Sequence, residues 1–340
     1  MKWSSEEYLI AFNMLNGIAG HRLEALVKAF GSLQDAWNSS YSQLLQVPGF
    51  GPKVSKSFIE QRTKIDPIKE LNWAKSIGAR IYTAYNPDYP KYLKDLQPVP
   101  PVIYCLGRLP SDLGIAIVGT RKPTASGRRQ AYDFAKELAD YFPIVSGLAR
   151  GIDTQAHLGA LAAGGSTIAV LGSSLNQIYP PENCELANKI SQNGCLVTEF
   201  SSNAAIKPGN FPRRNRLIAA FSKGVLVVEA GEKSGTMSTV DWALEQGKDV
   251  WAIPGDIANP LRKGTNKLIK QGAGLVDSPQ DILDYFQLVA KPLVNKLDQT
   301  LQLVLKYYRQ GYSTDEIVEI TKIPINKVQS SITILQVEGY

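Results

Sequence analysis

The apolar positions of the chain follow two rhythms, and the change between them comes near residue 100. Up to about Lys94, short amphipathic stretches with helical spacing alternate with glycine turns, as in residues 23–30 closed by Gly31, and no run predicts a strand. Residues 96–101 carry Pro98, Pro100 and Pro101, which excludes regular helix and predicts a linker. From Ile115 a compact apolar run, a small-residue turn and a longer helical pattern recur. The runs fall at 115–118, 143–145, 167–171, 195–200, 225–228 and 250–253. Runs apolar on both faces and separated by helices predict parallel strands covered on both sides. The expected fold class is α/β, with a Rossmann-like, doubly wound, mostly parallel sheet.

Beyond Ala290, residues 291–297 are expected to be a linker, followed by helical patterns at 298–310, from Ser313, and at 325–336 after a turn at 322–324. Helix, then helix, turn and helix again is the core of a winged-helix domain. The residues up to Tyr340 leave no room for the two strands of a wing. The expected organisation is a small helical domain at 1–95, the α/β domain at 96–290, the linker, and a winged-helix-like domain at 298–340 in which either the wing is missing or the helices have another role.

In open α/β sheets, ligands bind at the carboxyl ends of the strands. The first run ends in Gly119, Thr120, Arg121 and Lys122, and residues 115–132 hold four basic residues and no acid. The second ends in Ser146-Gly147-Leu148-Ala149-Arg150-Gly151-Ile152-Asp153, where backbone N–H groups of a glycine turn and a following helix N-terminus suit an anion. The third ends in Gly172, Ser173 and Ser174. Between Phe200 and Val228 the only charges are Lys207, Arg213, Arg214, Arg216 and Lys223. The fifth leads through Glu229 to Ser234, Gly235 and Thr236, another small-residue turn into a helix. Each turn alone is ordinary strand-to-helix geometry. Their coincidence on one sheet edge points to a polyanion rather than a single mononucleotide. Tyr179 and Phe211, in loops beside these turns, are candidate stacking platforms for bases.

Composition narrows the alternatives. The chain has 340 residues, 44% hydrophobic and 20% charged, with a formal net charge of +6, which leans towards an anionic partner. Glu6 and Glu7 stand where a signal peptide would be cationic, and no apolar run approaches a membrane span, so a cytoplasmic protein is expected. Cys105, Cys184 and Cys195 lack CxxC spacing, and His21 and His157 are the only histidines, so no metal site is expected. Arg121 stands where a dinucleotide fingerprint needs its second glycine, so no nicotinamide cofactor is expected either.

Taken together, the loops resemble the DprA/Smf family of DNA-processing proteins. The matching residues are Gly119-Thr120-Arg121, the 146–153 turn with Ala156-His157, Tyr179-Pro180 with Glu182-Asn183, Phe211-Pro212-Arg213-Arg214-Asn215-Arg216, Glu229-Ala230 with Ser234-Gly235-Thr236-Met237, Pro254-Gly255, and Gly264-Thr265-Asn266 with Leu268-Ile269. The resemblance implies a domain that binds single-stranded DNA, forms homodimers and helps load a RecA-type recombinase onto incoming DNA during natural transformation. It carries DNA contact onto Arg121, the 146–151 turn and Arg213 to Arg216. Pro181 stands where the family often has a basic residue. The flanking domains match too, as helix-hairpin-helix or SAM-like and winged-helix-like modules. Val47-Pro48-Gly49-Phe50-Gly51-Pro52-Lys53 looks like a helix-hairpin-helix turn, which would place Gly49, Gly51 and Lys53 near a phosphate, with residues 17–20 as a degenerate first copy.

An enzymatic rival is a nucleoside-monophosphate phosphoribohydrolase, whose glycine-rich loop residues 229–239 resemble. Thr239 occupies the place of the terminal glutamate, so no enzyme is expected. Asp153 is expected to cap a helix and His157 to be a packed structural residue. A sequence-specific regulator acting through residues 313–336 is the second rival, but Asp315, Glu316 and Glu319 give that segment little basic footprint.

Overall fold

In a computed structural model, residues 3–18, 20–288 and 299–337 are described. The chain forms two compact units, residues 1–279 and 280–340.

The first unit opens with six helices, α1 (Ser5–Asn13), α2 (His21–Phe30), α3 (Leu33–Asn38), α4 (Tyr41–Leu44), α5 (Pro52–Arg62) and α6 (Pro67–Ser76). Local chemistry sets their starts. Ser4 and Glu7 form a capping box before α1, Ser40 and Gln43 another before α4, and Asp66 accepts the first N–H groups of α6. Their apolar faces meet around Phe12, Trp37, Phe50 and Phe58, whose rings pack largely edge-to-face at centroid distances of 5.2–6.2 Å.

The sheet has nine strands: β1 (Ala79–Thr83), β2 (Val102–Gly107), β3 (Gly114–Val118), β4 (Ile144–Ser146), β5 (Thr167–Val170), β6 (Cys195–Thr198), β7 (Ser222–Val227), β8 (Asp249–Ala252) and β9 (Gly274–Leu275). Their order is β1-β2-β6-β5-β4-β3-β7-β8-β9. Along that order, all pairings from β6 to β9 are parallel; β2 pairs antiparallel with both β1 and β6. All six sequence-predicted strands are present, as β3 to β8, in the α/β arrangement expected. The absence of strands before Lys94 was the wrong expectation: β1 lies there, and β2 directly follows the proline segment.

Helices α7 (Ala125–Leu138), α8 (Ile152–Ala162), α9 (Cys184–Asn193), α10 (Asn210–Ala220), α11 (Met237–Glu245) and α12 (Lys263–Lys270) connect the parallel strands. Alternate strand residues serve opposite faces. Tyr104, Ala169 and Leu196 join one buried cluster with Leu9, Phe12 and Phe58 of the helical segment, whereas Cys105, Ile168 and Val197 join the other with Leu217 of α10 and Ala243 of α11. The first cluster runs through the expected boundary at residue 95, so helices and sheet share one core.

The second unit contains α13 (Pro279–Tyr285), α14 (Gln299–Tyr308), α15 (Thr314–Thr321) and α16 (Ile325–Val337). Ser313 and Glu316 form a capping box before α15, and Lys322, at φ +57°, ends it. Val304, Leu305, Ile317, Val328 and Leu335 make the small core of the last three helices. The expected linker at 291–297 lies outside the described residues. No described helix is long and apolar enough to cross a membrane.

Candidate nucleic-acid interface

Strand order reverses between β3 and β7, which are neighbours in the sheet although β4, β5 and β6 come between them in sequence. Connections leaving such a pair diverge and open a crevice at the strands' carboxyl ends. Here that crevice is a cleft of about 590 Å³. Gly119, Thr120, Arg121 and Lys122 after β3 line one side, and Ser234, Gly235 and Thr236 before α11 line another. Phe211, Arg214 and Asn215 at the start of α10, with Ala149 and Asp153, complete it. Topology thus brings three of the predicted turns and the start of α10 to one place.

The 146–151 turn is held from within. Leu148 is buried in the left-handed region at φ +56°, a conformation that costs about 1–3 kcal/mol and persists only where neighbours enforce it. Asn183 Nδ2 donates to the Leu148 carbonyl at 2.9 Å, and Arg214 Nη1 donates to the Gly147 carbonyl at 2.6 Å. Thr154 Oγ1 donates to the Ala149 carbonyl at 2.7 Å. The N–H groups of Gly147 and Ala149 donate to Asp153 Oδ2 at 3.1 and 3.3 Å. Gly151, at φ +80°, lets this turn lie against the Thr120 carbonyl. The expectation that Gly147 offers its N–H to an anion is corrected, because Asp153 already accepts it. Ser146 also points inward, donating to the Ile117 carbonyl at 2.7 Å.

The arginines sort by depth. Arg121 and Lys122 are exposed, and the Arg121 guanidinium lies 5.7 Å from the centre of the Phe211 ring. That ring meets Tyr179 at a centroid distance of 5.4 Å, and Tyr179 is itself exposed. Gly172 lies directly beneath Phe211, where a Cβ would clash with the ring. Arg150 is exposed and paired with Glu182. Arg213 is partly exposed and donates to Glu199 Oε2 at 2.7 Å. Arg214 and Arg216 are buried. Arg214 serves the Gly147 and Val170 carbonyls, while Arg216 bridges Glu199 Oε2 and the Pro98 carbonyl, both at 2.7 Å. Burial lowers the Arg214 pKa to about 10, with Asp153 opposing that shift and Arg121 adding to it.

Other predicted residues take supporting positions. Ser173 is buried, Thr236 N–H donates to Ser234 Oγ at 3.2 Å, and Asn215 Nδ2 donates to Ser238 Oγ at 2.7 Å. Gly49, Gly51 and Lys53 are exposed at the turn entering α5, well outside the residues that line the cleft. Arg22 donates to the carbonyls of both Gly49 and Gly17, at 3.2 and 2.7 Å, so the two glycine turns of the helical segment are neighbours. Lys223 lies near the amino end of β7, away from the carboxyl edge.

The family model described as DNA recombination-mediator protein A matches residues 80–287. The chain belongs to this family. Protein Smf of Synechocystis is 37% identical over 300 residues, 86% of this chain and 75% of that protein. DNA processing protein DprA of Bacillus subtilis is 40% identical over 200 residues, 58% of this chain and 67% of that protein. Among solved structures, DNA processing protein A of Streptococcus pneumoniae superposes with a TM-score of 0.70 at 31% identity, covering 85% of this chain and all of that one. The Helicobacter pylori protein, whose structure was described for its single-stranded DNA binding mode, gives 0.55 at 33% identity over 61% of this chain and 95% of that one. The DprA/Smf resemblance read from the loops is therefore upheld.

Two acids of the family motifs, Asp153 and Glu229, face inward in this chain. Glu229 is fully buried at the end of β7; its carboxylate accepts from Thr124 N–H and Oγ1 at 2.9 and 2.6 Å and pairs with Arg262 at 3.3 Å. It thereby closes the N-terminus of α7. Burial raises the Asp153 pKa, and Arg214 and the two loop N–H groups oppose that rise. His157 Nδ1 hydrogen-bonds Thr167 Oγ1 at 2.8 Å, and since that hydroxyl donates to the Ile144 carbonyl, the ring donates to it. Burial depresses the imidazole pKa to about 3. Thr124 and Arg262 were missed as site residues. The signal for Thr124 was a threonine three residues before Gly127 at the start of a helical pattern, the position of an N-cap.

Proposed function

We propose that this chain binds single-stranded DNA along the cleft edge, without itself catalysing a reaction. The observation that carries the reading is the Arg121, Phe211 and Tyr179 group, which sets an exposed cation beside two aromatic faces at the mouth of the glycine-lined crevice. Single strands offer both a backbone charge and an accessible base face to such a platform. Arg121, Lys122 and Arg150 supply the accessible charge, with Arg213 at the flank; Arg214 and Arg216 act from below by shaping the loops. The single-strand binding described for the Helicobacter pylori relative supports the choice of ligand. Within the family, the reading extends to a homodimer that protects incoming DNA and passes it to a RecA-type recombinase in transformation and recombination. The helical turn at Gly49, Gly51 and Lys53 is a second phosphate contact in this proposal, and α14 to α16 form a winged-helix-like module.

Anisotropy titrations test it. Oligo-dT should bind more tightly than a duplex of equal length, and log K should fall linearly with log salt. Arg121→Ala should weaken binding and reduce the salt slope by about 0.7, the share of one phosphate on a single strand. Equal or tighter duplex binding, or an unchanged slope in Arg121→Ala, would sink the proposal.

A further inference from the structure

The helical segment carries a second concavity that shares no residue with the cleft. Leu9 of α1, Leu23 and Val27 of α2 and Leu33 of α3 face Tyr85 and Val99 across an apolar crease of about 560 Å³. That volume lies within the range of pockets that bury most of a small ligand's surface. Tyr85 is 54% exposed, so its ring is an uncovered wall rather than part of the core. Lys28 and Lys94 stand at the rim, both exposed, and neither forms an ion pair or side-chain hydrogen bond with a described residue. The one acid at the rim, Glu24, is engaged by His21 Nδ1 at 3.3 Å.

We propose that this crease docks an acidic, amphipathic peptide segment of a partner protein. Apolar side chains of the peptide enter between Leu23, Val27 and Tyr85, and flanking carboxylates meet the Lys28 and Lys94 ammonium groups. An apolar floor with two such cations on its rim complements such a segment, in the manner of an amphipathic element laid into a hydrophobic groove. A nucleic acid fits poorly, because the crease lacks the guanidinium and turn donors that gather phosphates.

The proposal is tested with a short fluorescein-labelled peptide carrying leucines at helical i, i+4 spacing flanked by glutamates, titrated with the full chain. One control peptide replaces every glutamate by lysine, another every leucine by alanine. The acidic peptide should bind and both controls should lose that binding. Lys28→Glu combined with Lys94→Glu should weaken it roughly tenfold, as expected for two partly exposed ion pairs. Acetylation footprinting of the unmutated protein provides a readout free of folding effects: the peptide should protect Lys28 and Lys94 and leave Lys122 reactive. Equal binding of the lysine peptide, an unchanged footprint, protection of both lysines by self-association without peptide, or displacement of the peptide by oligo-dT would each overturn it.

Discussion

Replacing Arg214 by methionine separates a structural arginine from a DNA-contacting one. The guanidinium is 4% exposed, donates to the Gly147 carbonyl, the Val170 carbonyl and Asn215 Oδ1, and is the counter-charge of Asp153, itself 6% exposed. Methionine fills similar space but leaves the buried Gly147 and Val170 carbonyls without their donor and removes the nearby positive charge from Asp153. Leaving buried acceptors unsatisfied costs about 1–3 kcal/mol each. With an m value of about 3 kcal/mol/M, that loss lowers the urea midpoint by about 1 M or more. Without Arg214 the Asp153 carboxyl is pushed further up, so the deficit should shrink in mild acid, where that carboxyl takes a proton. Combining the change with Asp153→Asn should recover part of the loss, since no unpaired charge then remains. By contrast, Arg121→Ala should stay within about 0.5 kcal/mol of the parent protein. An Arg214→Met protein as stable as the parent, or one whose DNA salt slope falls like that of Arg121→Ala while its stability is unchanged, would refute the assignment of Arg214 to the loop's support.

Phe211→Ala should weaken oligo-dT binding by about 1–3 kcal/mol in anisotropy titrations while leaving the salt slope intact, because it removes a stacking face and no charge; a changed slope with unchanged affinity would contradict that role. His157 makes stability fall with acidification. Its folded pKa, near 3, lies below the ordinary 6.5, so between these values the unfolded chain binds a proton that the folded chain does not. Stability from this group is complete above about pH 6.5 and is lost at about 1.4 kcal/mol per pH unit as pH falls below it. Urea midpoints for the parent and His157→Gln, compared between about pH 7 and pH 5, should show a shallower slope in the variant.

The parallel strands were legible because both of their faces are buried, which leaves near-continuous apolar runs between glycine turns. β1 was not, because it pairs on one side only and alternates exposed Arg80 with partly covered Ile81 and Tyr82, while β2 begins immediately after two prolines. The cleft's membership was legible from the turns, since topology puts strand ends together whatever their side chains do. The depth of each arginine was hidden in a count of charges. Helical spacing did not separate them: Arg214 stands three and four residues before buried Leu217 and Ile218, and Arg213 stands three and four residues before buried Arg216 and Leu217, yet of the two only Arg214 is buried. The internal satisfaction of the 146–151 turn was equally unreadable, because a glycine turn that presents its N–H groups to an anion and one that presents them to its own aspartate have the same composition.

The antiparallel pair β1 and β2 has a practical bearing on where this protein can be cut. The family's matched region begins at residue 80, inside β1, and β2 is covered on one side by β1 and on the other by β6. Trimming at the proline segment would leave the Val102–Gly107 backbone as an open margin, with Val102, Ile103 and Tyr104 stripped of neighbours they now bury against. Such a margin recruits strands from other molecules. A shortened protein that keeps the first six helices and β1 therefore retains its own seal, and one that begins after them trades that seal for a tendency to cross-pair between copies.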